Sequence, residues 1–117
     1  MKSKEKFRTI IFNKDYFEKF FKKQPDKVKE KIIWTLELIE ELPKVPETYL
    51  KHIVNTDGIY EIRVQQGGDV FRIFCFFDKG KLVIVANAYQ KKTQKTLPKE
   101  IKTAIKIKKE YENEQNR

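Results

Sequence analysis

Between residues 58 and 89 the chain sets down three strand-like runs in a row, separated by only two tight turns. Gly58 to Gln66 alternates, with Tyr60, Ile62 and Val64 on one face and Glu61, Arg63 and Gln65 on the other. Gly67-Gly68 then supplies a two-residue hairpin turn. Val70 to Phe77 is apolar except for Arg72, Asp78-Lys79-Gly80-Lys81 makes the second turn, and Leu82 to Tyr89 is a third run rich in β-branched residues. Such a segment folds as a three-strand antiparallel meander, and everything else in the chain has to cover it.

The flanking segments read as that cover. Phe7 to Phe12 is a short first strand expected to join the meander. Asn13 or Asp15 can cap a helix that gathers Tyr16, Phe17, Phe20 and Phe21 on one face. Gln24-Pro25-Asp26 breaks it and starts a second helix, in which Val28, Ile32, Leu36, Ile39 and Leu42 step by 4, 4, 3 and 3. Trp34 and Leu38 add a second apolar edge, and Pro43 and Pro46 end the helix. Tyr49 to Asp57 is a connector of mixed composition. Pro98 opens a last helix with Ile101, Ala104 and Ile105 inward, and the Glu/Asn/Gln-rich tail after about residue 110 is expected to fray. The order β-α-α-β-β-β-α predicts an α+β fold: a two-layer sandwich with a mainly antiparallel four-strand sheet packed against a helical hairpin. A chain of 117 residues supports one such domain, spanning its full length.

The charge is concentrated. Lys79 to Lys109 carries ten Lys and one acid, Glu100, for +9, while the other 86 residues balance 16 basic against 16 acidic groups. That third is either a footprint for a polyanion or a solvated lysine-rich surface. One cysteine excludes a disulfide framework and the usual Cys-based zinc sites. No apolar run approaches a membrane span, and the start Met-Lys-Ser-Lys-Glu-Lys-Phe-Arg lacks the apolar stretch of a secretory signal. A cytoplasmic protein with no membrane partner is the expectation.

Pairing residue 66 with 69 across Gly67-Gly68 puts Arg63 opposite Arg72, two like charges that repel. A site needing two positive charges for a phosphate has reason to accept that repulsion. Equally, Arg72 can form a structural pair with Glu61 across the hairpin. The segment Tyr89-Gln90-Lys91-Lys92-Thr93-Gln94-Lys95-Thr96 brings three Lys, two hydroxyls and a phenol to one edge, as a phosphate-binding surface or as a solvated loop. His52 is the sole histidine and reads as a surface residue or as an acid–base group titrating near neutrality. Cys75 alternates with Phe71, Ile73 and Phe77, which makes it a buried inert thiol. No catalytic triad, phosphate-binding glycine loop or dinucleotide fingerprint is present.

Gly58-Ile59-Tyr60-Glu61-Ile62-Arg63-Val64, Val70-Phe71-Arg72-Ile73-Phe74, Asp78-Lys79-Gly80-Lys81 and the run Tyr89 to Ile101, taken in that order, resemble the RelE/HigB toxins of bacterial type II toxin–antitoxin systems, and more closely their phage-protein-like branch. The resemblance implies a ribosome-dependent mRNA endoribonuclease that arrests translation and growth and uses neither metal nor cofactor. A cognate antitoxin, often a HigA-like helix-turn-helix protein, would inhibit it. By motif position, Arg63, Arg72, Lys91 and Lys92 would be catalytic. RNA would be bound by Tyr89, Thr93, Lys95, Lys51, His52, Lys99 and Lys102. Lys, His52 and Tyr89 all stay open as the acid and base. The alternatives are a ParE-like toxin that inhibits a protein target such as gyrase, and a non-catalytic RNA-binding module.

Overall fold

A computed structural model of the chain describes residues 6–91 and 97–115. The elements run β1 (Thr9–Phe12), α1 (Tyr16–Lys22), α2 (Asp26–Glu41), β2 (Leu50–His52), β3 (Tyr60–Gln66), β4 (Asp69–Asp78), β5 (Leu82–Lys91) and α3 (Pro98–Gln115). The fold is α+β, as expected, but the sheet has five strands rather than four, in the order β1-β5-β4-β3-β2. Its pairings are antiparallel except for β1, which runs parallel to β5 from Thr9↔Leu82 to Phe12↔Val85. The extra strand is β2. Leu50-Lys51-His52 is too short to show alternation, and it becomes a strand only by pairing with β3 at Leu50↔Ile62 and His52↔Tyr60.

Two layers become three. Phe71, Ile73 and Cys75 of β4, with Ile62 and Val64 of β3 and Val83 and Val85 of β5, pack against Phe17, Val28, Ile32, Leu36 and Ile39 of the α1–α2 hairpin. On the other side, Phe76, Ile84 and Ala86 meet Ile107 of α3, and Phe74 meets Ala104. The helical hairpin therefore covers one face of the sheet and α3 the other. The physical reason lies in β4, which is apolar at both alternations and so must be shielded from water on both sides.

Locally the helices depart from expectation in small ways. Asp15 stands at the N-cap of α1 without a capping bond, and its carboxylate pairs with Lys19 at 3.4 Å instead. Tyr16 turns away from the hairpin core toward α3, where its hydroxyl donates to Glu110 Oε1 at 3.1 Å. Trp34 is 44% exposed, edge-on to Tyr49 and beneath the Lys31 ammonium. Helix α3 continues to Gln115 instead of fraying near residue 110. It is anchored by Tyr111, whose hydroxyl donates to Asp78 Oδ2 at 2.7 Å and whose ring packs edge-on to Phe76. Lys14, in the loop before α1, also reaches Glu114 at 2.9 Å. Among the described residues no helix is long and apolar enough to cross a membrane.

The Tyr111 anchor has a measurable signature. The hydrogen bond to Asp78, with burial and the carboxylate's charge, raises its phenol to about 12. An unfolded tyrosine titrates near ~10, so the fold favours the protonated phenol. The stability it contributes is complete below about pH 10 and is lost as pH rises through about 12. Tyr111→Phe is expected to remove the latest-titrating phenol from an absorbance titration and to lower stability by about 1 kcal/mol at neutral pH in urea unfolding.

Candidate functional site

The hairpin turns as the glycine pair requires, with Gly67 at φ 61° and Gln66 paired to Asp69. That register sets Arg63 directly opposite Arg72 and Gln65 opposite Val70. From β5, Tyr89 lies opposite Arg72 and Lys91 opposite Val70. Residues directly opposite in an antiparallel pair share a face. Arg63, Arg72, Tyr89 and Lys91 therefore stand together on the α3 side of the sheet.

A bulge makes this possible. Ile73 pairs with Ala88 but Cys75 pairs with Val85, so β5 spends one more residue than β4 over the same span, at Ala86–Asn87. Before the bulge, Val83 and Val85 face the hairpin; after it, Tyr89 and Lys91 face the opposite way. Strict alternation from Val83 would have pointed Lys91 into the hairpin core. Buried Asn87 fills the irregularity and ties it to α3 by donating to the Glu100 carbonyl at 3.2 Å.

Arg72 carries both features expected of it. Its Nη1 is ion-paired with Glu61 Oε2, and both side chains are largely buried, at 12% and 6% exposure. It also stands opposite Arg63, and its Nε is buried without a hydrogen-bond partner among the described residues. Burial pulls its pKa down, yet a guanidinium stays charged at any ordinary pH. Lys91 feels the same surroundings: partial burial first, then the charges of Arg72 and Arg63, hold its ammonium below the usual lysine range. Tyr89 stacks on Phe74 with ring centroids 5.9 Å apart, and its hydroxyl accepts the Leu97 N–H at 3.4 Å. One face of its ring is thus already occupied.

The other expected residues are dispersed. Lys51 pairs across the strand with Glu61 and so belongs to the Arg72 face. His52, one residue on, falls on the opposite face with its ring edge-on to Tyr60, and its Nε2 lies 3.2 Å from the Thr56 carbonyl. The structure does not bring it to the cluster. Lys99 and Lys102 are exposed on the first turns of α3. Lys92, Thr93 and Lys95 lie outside the described residues. Cys75 is fully buried, and desolvation pushes its thiol far above the reactive range. Glu61 was legible only as one possible partner of Arg72; its burial and ion pair make it the internal counter-charge of the site.

Arg63, Arg72 and Lys91, with Lys51 on the same sheet face, surround one buried carboxylate beside an exposed lysine-bearing helix, an arrangement with the charge to attract an anion. The model of the phage-derived protein Gp49-like family (DUF891) matches residues 19–109, a span that includes the hairpin, the cationic cluster and most of α3. The chain belongs to this Gp49-like family, a toxin-like family related to the RelE/HigB-type toxins. No curated protein matches the chain.

The cluster's electrostatics set opposite expectations for two substitutions. Glu61→Ala strands a buried guanidinium and is expected to cost about 3–5 kcal/mol. Arg63→Leu removes a like charge directly opposite Arg72 and is expected to raise stability by about 0.2–1 kcal/mol. Urea denaturation of the two variants beside the parent protein measures both signs.

Proposed function

We propose that this protein is the toxin of a type II toxin–antitoxin system, acting as a ribosome-dependent mRNA endoribonuclease that arrests translation. The observation that carries the reading is the convergence of Arg63, Arg72 and Lys91 on one sheet face, with Lys91 held below the ordinary lysine range. Membership of the Gp49-like family supports the toxin assignment.

In the proposed reaction the RNA 2′-OH loses its proton and its oxygen attacks the adjacent phosphorus. The P–O5′ bond breaks, leaving a 2′,3′-cyclic phosphate and a 5′-OH once the leaving oxygen is protonated. Arg63 and Arg72 neutralise the non-bridging oxygens, whose charge grows in the transition state. A Lys91 ammonium that releases its proton more readily can serve as the base for the 2′-OH. Glu61 keeps the Arg72 side chain aimed across the strands at the cost of part of its charge. Lys99 and Lys102 extend the positive surface for RNA phosphates, a salt-sensitive contribution. The partners on this reading are translating ribosomes with their mRNA, and a HigA-like helix-turn-helix antitoxin that covers the cluster.

Mapping of 5′ ends on a reporter mRNA in a purified translation system, with and without its start codon, tests the proposal. Cuts within codons are expected on the translated message alone. Arg72→Ala and Lys91→Ala are expected to lower the cleavage rate by about 10²–10³ each. The pH profile adds a sign. If neutral Lys91 is the base, the rate rises with pH through the Lys91 titration, and Arg63→Ala, by removing a neighbouring cation, shifts that rise to higher pH. Growth arrest without any RNA cut would replace this reading with a toxin that inhibits a protein target, of the ParE type.

A further inference from the structure

A groove lies on the other face of the sheet, at the end away from the Gly67-Gly68 turn. Its space is about 680 Å³, within the usual range for ligand sites. The wall combines two chemistries. Phe7, Tyr60, Phe77 and Leu50 supply ring and aliphatic surface, and Lys44 and Lys81 stand on the rim against one acid, Glu47.

Several features make this a built groove. Tyr60 is wedged between His52 and Phe77, edge-on to each at centroid distances of 5.2 and 5.0 Å, so its ring is fixed. The Pro43–Lys44 segment is held by Arg8, whose guanidinium donates to the carbonyls of Ile39, Leu42 and Pro43 at 3.1, 2.7 and 3.1 Å. Phe7 is tethered through its own N–H to the Glu40 carbonyl at 2.8 Å, yet the residue stays 38% exposed. Among the described residues neither Lys44 nor Lys81 joins an ion pair. The rim thus sets two lysines outside any ion pair against the single carboxylate of Glu47, above a floor of rings.

We infer that this groove binds a nucleotide unit of single-stranded RNA, its base against Phe7 and Tyr60 and its phosphate at Lys44 and Lys81. Flat rings with adjacent point cations suit a base joined to a phosphate, and stacking tolerates any base because every base has a π-face. The floor alone would suit an apolar peptide, but such a ligand leaves both ammonium groups unused. Binding here does not depend on cleavage at Arg72, since the two sites lie on opposite faces of the sheet.

The test is a fluorescence titration of the full chain with 2-aminopurine riboside 5′-monophosphate, whose emission is quenched on stacking. Saturable quenching is expected. Phe7→Ala is expected to weaken binding about tenfold through lost stacking. The Lys44→Glu/Lys81→Glu pair should abolish binding at low salt, whereas Lys23→Glu, at the exposed end of α1 and outside the groove, should leave it unchanged. Quenching that survives both groove variants and disappears in Arg72→Ala would move the nucleotide to the cationic cluster and overturn the inference. So would full displacement of the probe by an equal concentration of inorganic phosphate, which would mean an anion site without base recognition. Absence of quenching in the parent protein overturns it outright. Matching far-UV circular dichroism and melting curves establish that each variant is folded.

Discussion

Strand β4 is the central constraint. It is flanked by β3 and β5 and is covered on both faces. Phe71, Ile73 and Cys75 are buried against the helical hairpin, and Phe74 and Phe76 against α3. Removing so many large apolar side chains from water is worth roughly 1.5–3 kcal/mol apiece before entropy is counted. No two-layer arrangement could achieve it. The position of α3 therefore follows from the composition of a strand that precedes it by twenty residues.

Arg72 is the exception in that strand, and the site is organised around it. Its neighbours on the same face, Phe74 and Phe76, lie beneath α3, but Arg72 sits farther along toward the turn, beyond the buried part of the helix. Glu61 stabilises it within the sheet while Arg63 opposes it across the ladder. A site tuned only for stability would not place two guanidiniums opposite each other. The cluster carries a local electrostatic cost that a bound anion would relieve. The same field acts on Lys91, which couples the charge of the arginines to the protonation of a third group.

Much of this was legible in advance. The glycine pair dictated the β3–β4 register, because a two-residue turn leaves no slack, and that register alone placed Arg63 opposite Arg72. Helical spacing located the hairpin's buried stripe. The expectations that failed were those whose cause is non-local. Three residues of β2 carry no periodic signal, and the C-terminal turns of α3 look polar until Tyr111 and Glu110 find Asp78 and Tyr16 across the fold. Read alone, Leu82 to Tyr89 gives no sign of a bulge, because Ala86 and Asn87 have no distinctive chemistry before they meet α3.

Local sequence by itself determined the meander, the turn, the two apolar helices and the opposition of two arginines, since each depends on contacts between near neighbours in the chain. Tertiary structure alone decided which residues joined those arginines. One extra residue in β5 rotated Tyr89 and Lys91 onto their face, and the pairing of β2 sent Lys51 toward them and His52 away. Side chains alternate with a period of two, so a one-residue shift reverses every face beyond it. Only the packed sheet fixes where that shift occurs.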